Sequence, residues 1–384
     1  MAASHRDAQS ITQREPLAGG LRTALACLVA LLLTACRAGP VARIVYPYPW
    51  LGPAISLVAE AAIGARGGHA ALEIPDSIMG AATLRRGVDG EIDYATAMTA
   101  VPGVVAAVGP LSSRATLLVA PIYNERHVPL VAATATSSRL HAAGPWVFQL
   151  APDDEEEGAF MARFILDRVG ARRITVFYLV ADEYGIGLRA GLVHALRARG
   201  VIPVDEVGIF EGSPFDRRVA ESLQRAMPQV VVVAARSPEA IAIARSVHER
   251  LPRALIVVGD AVLLDTNFAK AVGHAAPVIR GVTWWDPGVT DSASRSFVQR
   301  FERTTGARPN AVSAMVYDAI MVAAQAVHDV GPDPAAVRRY LNELGSERPP
   351  YRGVTGPISF ARDRPINLVM VRISHGAVVV GDGR

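Results

Sequence analysis

Beyond Gly39-Pro40 the chain alternates short apolar runs with longer mixed segments. Val41–Tyr46, Ala70–Ile74, Val104–Val108 and Pro129–Ala133 are apolar without the every-second-residue polarity of a half-solvated strand. They read as parallel strands covered on both faces. Helical spacing fills the intervals, at Pro53–Ala65 and from Gly109-Pro110-Leu111-Ser112-Ser113 to about Glu125. The pattern restarts around Trp146–Ala151, with strands at Ile174–Val180, Val204–Ile209, Val230–Ala235 and Leu255–Val258. Between them lie helices at Gly187–Arg199, Arg217–Ala226 and Pro238–Glu249. A third section opens at Gly281 and carries helices at Ser292–Thr305, Ala311–Val330 and Pro334–Leu344. It ends in strand-like Ile358–Phe360, Leu368–Ile373 and Ala377–Val380. Helices joining successive apolar strands predict right-handed crossovers and parallel sheets in an α/β protein.

One apolar run has a different character. Ala24 to Ala35 follow Arg22 with only Thr34 as a polar interruption, which is too short to span a membrane and fits the apolar region of a secretory signal. Leu33-Thr34-Ala35-Cys36 resembles a bacterial lipobox. The resemblance implies a signal peptide over residues 1–35, cleavage before Cys36, and lipid on that cysteine as the membrane anchor. The only other cysteine, Cys27, lies inside the segment to be removed, so no disulfide, thiol catalysis or cysteine metal site is expected. No second hydrophobic segment is expected to reach spanning length.

Composition narrows the function classes. With 51% hydrophobic and 20% charged residues, 384 residues supply ordinary cores for two domains. The net charge is +3, Lys270 is the sole lysine, and no dense basic run interleaves with aromatics, so nucleic acid is not an expected partner. The acidic run Asp153–Glu157 opens a helix, where carboxylates suit the dipole, and is not read as a metal site.

Six stretches, taken in order, resemble the type I periplasmic solute-binding proteins, specifically the branched-chain amino-acid/amide receptors of ABC transporters. They are Val108-Gly109-Pro110-Leu111-Ser112-Ser113, Val128 to Ser137, Val147 to Asp153, Asp182-Glu183-Tyr184-Gly185, Tyr317-Asp318-Ala319, and Gly353 to Phe360. The resemblance implies two doubly wound, Rossmann-like lobes joined by three hinge crossings near Leu150, Gly281 and Thr355. Lobe I would be residues 36–150 with 281–354, and lobe II 151–280 with 355–384. A ligand cleft would lie between them, at the carboxyl ends of the strands. The implied partners are a small amino acid or related solute and ABC permease subunits, at the cell envelope, with no cofactor.

Candidate site residues follow from the same stretches. Ser113 stands where a strand turns into a helix, and its own chemistry leaves open an N-cap or a ligand contact. The resemblance implies contact with a ligand carboxylate by Ser113 and by the Thr136 hydroxyl and N–H. It implies that the Thr134 carbonyl accepts from a ligand ammonium, that Tyr184 covers the ligand, and that Asp260 pairs with the ammonium. Three departures from the family bear on specificity: Arg114 beside Ser113, Arg236 after a strand, and Trp50 in a short aromatic loop. An inward Arg114 or Arg236 would favour a second anionic group on the ligand.

Enzymatic signatures are weak. Neither a Gly-x-Ser-x-Gly elbow nor a P-loop occurs, and His127, His141 and His274 are scattered. Gly185 and Gly187 lack the third glycine of a dinucleotide fingerprint. The leading expectation is therefore a lipid-anchored receptor and not an enzyme. The alternatives are a regulatory lipoprotein that uses the same fold to control a cell-wall enzyme, and a hydrolase on an α/β scaffold.

Overall fold

The computed structural model describes residues 42–45, 59, 70–73, 88–212, 214–265, 267–288, 291–361, 363–364 and 367–381. Cys36, Trp50 and the helix expected at Pro53–Ala65, apart from the helical Ala59, lie outside these residues.

Among the described residues, five parallel strands form the first sheet, in the order β2-β1-β3-β4-β5. They are β1 (Ala42–Val45), β2 (Ala70–Glu73), β3 (Val104–Val108), β4 (Leu130–Ala132) and β5 (Val147–Gln149). Helices α1 (Val88–Thr99) and α2 (Ser113–Arg126) connect them. After α3 (Asp154–Arg163) the chain builds a second sheet from β6 (Ile174–Leu179), β7 (Asp205–Ile209), β8 (Val230–Ala234), β9 (Leu255–Val258) and β10 (Ile279–Thr283). Its helices are α4 (Glu183–Ala198), α5 (Asp216–Ala226), α6 (Ser237–Arg250), α7 (Asp260–Leu263) and α8 (Phe268–Ala271). Next come α9 (Ser292–Thr305), α10 (Ala311–Val330) and α11 (Pro334–Glu343). The hairpin β11 (Tyr351–Gly353) and β12 (Gly356–Ile358) follows, and β13 (Val369–Ser374) and β14 (Ala377–Val380) close the second sheet. That sheet runs β14-β13-β10-β9-β8-β6-β7, antiparallel only at β10–β13 and β13–β14.

Each sheet has apolar layers on both faces. On one side of the first sheet, Ile44, Val105, Val108 and Val131 pack with Trp284, Phe297 and the length of α10; on the other, Val45, Ala107 and Leu130 pack with Met98, Val119 and Tyr123. The second sheet sets Val231, Val233 and Ile256 against α5 and α6, and Val230, Val232 and Val257 against α3 and α4. Continuous burial explains why these strands lack alternation: all of β8 is inaccessible to solvent.

The structure corrects three sequence expectations and adds one helix. Helix α4 begins at Glu183, not Gly187, because the Asp182 side chain caps the Gly185 N–H at 3.3 Å. The strand expected at Ile358–Phe360 is instead β12, paired with β11 in a hairpin of its own. Helix α1, with Gly90 inside it, was not anticipated; its apolar positions lack a clear helical stripe. Finally, α10 is a second segment long and apolar enough to span a membrane by length and composition, but 89% of it is buried, so it is a core helix.

Arg364 and Asp318 tie the segments running between the sheets. Arg364 donates to the carbonyls of Gln149 at 2.7 Å and Ala151 at 2.8 Å, and pairs with Glu156 at 2.9 Å. Asp318, buried in α10, accepts from the backbone N–H groups of Val354 and Thr355 at 2.8 Å each and from the Thr355 hydroxyl at 2.7 Å. Gly353 is required there, because a Cβ would run into the Asp318 carboxylate. Removing the Arg364 guanidinium leaves two buried carbonyls without their donor, so Arg364→Ala is expected to lower unfolding free energy by about 2 kcal/mol, readable by urea denaturation.

Candidate functional site

Two strand ends of the first sheet build one wall. After β3 the chain turns at Ser112, whose hydroxyl caps α2 by accepting from Ala115 N–H at 3.2 Å. Capping falls to Ser112, which frees Ser113 to turn into the interior. Its buried Oγ accepts from the N–H groups of Thr136 and Ser137, both at 3.0 Å. Thr136 and Ser137 lie beyond β4, so one hydroxyl joins two neighbouring loops at the carboxyl end of the sheet. The Thr134 hydroxyl donates to the Leu111 carbonyl at 2.8 Å and fixes the same pair of loops.

The second sheet supplies the opposite wall. The Thr136 carbonyl accepts from Asp154 N–H at 2.7 Å, and the Ser137 hydroxyl donates to Glu183 at 3.0 Å. Arg139 adds an ion pair to Glu183 at 3.1 Å. These contacts carry Ser113 and Thr136 to the start of α3 and α4, beside Tyr184 and Asp260. Glu157 Oε1 accepts from Asp260 N–H at 2.9 Å. At Gly259 an added Cβ would meet the Tyr184 hydroxyl and, at 3.0 Å, Glu157 Oε1, which puts these groups around one point. Ser113, Thr134, Thr136, Tyr184 and Asp260 are all buried and come together along one seam between the two sheets.

The three departures resolve differently. Arg114 lies on the exposed face of α2, away from the seam. Arg236 reaches the seam, with its guanidinium 5.5 Å from the Tyr184 ring centroid, but Asp182 takes two of its N–H groups at 3.1 and 2.9 Å. It is therefore already neutralised and not free to read an anion. Trp50 lies outside the described residues. Gly185 and Gly187 serve close packing: a Cβ on Gly185 would meet the Leu179 and Ala234 carbonyls at 2.8 and 2.9 Å, and one on Gly187 would strike the Asp154 carboxyl.

The acidic run holds what the sequence reading missed. Asp153 and Glu156 form a reciprocal capping box, at 2.8 and 2.7 Å, and Glu155 faces solvent. Asp154 and Glu157 are one turn apart on the inner face of α3 and fully buried beside Asp260. The available signal was their spacing from Gly158 and Met161, which share that buried face. Burial pushes the Asp154 carboxyl up to about 9, with Thr136 opposing and the Asp260 charge adding to the rise. Burial also raises Glu157 and Asp260, the former further by the neighbouring Asp260 charge. Burial raises the Tyr184 phenol as well, and the nearby carboxylates push it the same way.

A carboxyl that stays protonated in the fold but ionises when unfolded binds more protons in the folded state. Stability from Asp154 is therefore full below about pH 4 and lost as pH climbs toward 9, by roughly 1.4 kcal/mol per unit. Thermal melts from pH 5 to 9 should show that decline, and Asp154→Asn should flatten it.

A family model described as periplasmic binding protein matches residues 88–370. The chain belongs to the periplasmic binding protein family. The Leu/Ile/Val-binding protein BraC3 of Rhizobium johnstonii is 27% identical over 169 residues, 43% of this chain and 45% of that protein. The chain thus spans less than half the length of this curated relative. Among solved structures, the leucine-binding protein LivK of Thermotoga maritima superposes with a TM-score of 0.75 at 21% identity, over 88% of this chain and 97% of that one. LivJ of Streptococcus pneumoniae, a branched-chain amino acid transporter substrate-binding protein in complex with isoleucine, gives 0.74 at 18% identity, over 88% and 97%. The fold of this periplasmic binding protein is that of LivK and LivJ, an α/β type I architecture.

Proposed function

We propose that this protein is an extracytoplasmic solute receptor that binds an amino acid or similar small polar solute between two lobes and delivers it to an ABC importer. One observation carries the reading. Four separate strand-to-helix junctions, two from each sheet, bring Ser113, Thr136, Tyr184 and Asp260 to a single buried seam. Strand ends of open α/β sheets are where such folds take ligands. The lobes in this reading are residues 36–150 with 281–354 and residues 151–280 with 355–384, hinged where Arg364 and Asp318 tie the crossings. Lipid on Cys36 holds the receptor at the envelope, beside its permease. The function is binding, not catalysis.

Titration calorimetry with a panel of amino acids, amides and amines, paired with small-angle scattering, tests the reading. A bound solute that contracts the particle is the expected result. No heat from any member and no change in shape would overturn it. Metabolic labelling with a fatty acid, lost in Cys36→Ala, checks the anchor.

A further inference from the structure

We propose that the guest of this seam is an organic cation rich in N–H donors (an ammonium, amidinium or guanidinium compound) held jointly by Asp154, Glu157 and Asp260, and not a neutral branched-chain amino acid. This rests on the receptor reading above and names its ligand class.

The argument begins with charge. Asp154 is 0% exposed, and Glu157 and Asp260 are 1% exposed each. The cations facing them are already engaged: Arg236 is bound in two places by Asp182, and Arg139 is paired with Glu183. The remaining neighbours, Asp153 and Tyr184, bring no positive charge. Among the described residues, then, three carboxyl groups face the seam with no unengaged cation beside them to hold them ionised.

Hydrogen bonding is a second, independent observation. Neither Asp154 carboxyl oxygen has a partner at hydrogen-bond geometry, nor has Glu157 Oε2. The Tyr184 hydroxyl, 2% exposed and aimed at the same carboxyls, also has none. Buried polar atoms are almost always paired, so four such atoms in one place mark a surface that a donor-bearing guest completes. Among the described residues no three acidic or histidine side chains gather at metal-ligand spacing, so the matching cation is extended and organic.

The opposite wall argues the same way. The Thr136 N–H, one of the groups expected to meet an amino-acid carboxylate, is already accepted by Ser113 Oγ at 3.0 Å, as is the Ser137 N–H beside it. Asp154 lies against Thr136, and once a cationic guest ionises it, it would repel a second anion there. A zwitterion such as leucine offers one ammonium to three carboxyls and brings a carboxylate to an acidic wall.

The test is calorimetry on the full chain in detergent micelles at pH 7.5, with agmatine and putrescine as cationic probes and L-leucine as the zwitterion. Titrations in two buffers of different ionisation enthalpy count released protons. The expected result is binding of a cationic probe with net proton release, weakened at least 100-fold in the Asp154→Asn/Glu157→Gln double variant. Thermal melting of that variant, expected to match or exceed the parent at this pH, shows that it is folded. Binding of L-leucine alone, or of a cation with unchanged affinity in the double variant, would overturn this inference and leave the receptor reading standing. Failure of all three probes, together with silence across the wider solute panel, would remove both.

Discussion

Replacing Asp318 by alanine is expected to lower the unfolding free energy by about 4 kcal/mol, the largest loss from any single polar truncation proposed here. The carboxylate takes three donors from one short stretch: two backbone N–H groups and the Thr355 hydroxyl. Val354 is buried, so its N–H has no water to turn to once the acceptor is gone. Each orphaned buried donor costs roughly 1–3 kcal/mol, and the empty volume adds to that. Asparagine separates the two contributions. It fills the space, but its amide nitrogen faces a donor, so a loss of about 2 kcal/mol is expected. Equilibrium urea denaturation of both variants checks the ordering. If alanine and the parent unfold at the same midpoint, the clamp carries no stability. Burial pushes the Asp318 carboxyl up to about 6, so its contribution falls as pH rises from 4 to 6.

The second large effect belongs to a backbone contact. Where α3 crosses α4, a Cβ on Gly158 would sit 2.5 Å from the Gly191 carbonyl carbon, and one on Gly191 would sit 2.6 Å from the Asp154 carbonyl oxygen. Both obstacles are main chain and cannot rotate aside. Gly158→Val is expected to cost about 3 kcal/mol and to push the helices apart. Since α3 carries Asp154 and Glu157 and α4 carries Tyr184, any ligand affinity should fall with stability. Gly170→Ala gives a contrast: its φ of 71° is strained for alanine, but nothing lies near the added atom, so the helix crossing stays intact. Circular dichroism melts on the two variants, with calorimetry beside them, distinguish a local from a transmitted loss.

Much of the architecture is written in short-range pattern. Val104–Val108, Leu255–Val258, Ser292–Thr305 and Ala311–Val330 occupy the residues expected of them, because apolar run length and capping residues act locally. Asp291 and Asn310, which cap the last two, are visible in the sequence. The hairpin of β11 and β12 was not legible, since it depends on pairing across a two-residue turn with little hydrophobic signal. The site was legible in part. Ser113, Thr136, Tyr184 and Asp260 could be named because the stretches that hold them resemble a known receptor family, and the structure places them along one seam. Asp154 and Glu157 could not, because five acidic residues in a row look like a solvated helix start until the neighbouring sheet shows which side faces inward. The role of Arg236 was hidden for the same reason: its partner Asp182 comes from another strand end, 54 residues away.

The burial of α10 has a consequence for biogenesis. An exported polypeptide that meets the translocation channel unfolded would offer this 20-residue apolar stretch to the lateral gate before any tertiary contact hides it. Asp318, near its middle, is the kind of charge that raises the cost of lipid insertion by about 2.5–3.5 kcal/mol. On that route the carboxylate that holds Val354 and Thr355 in the folded protein would also weigh against α10 stopping in the bilayer.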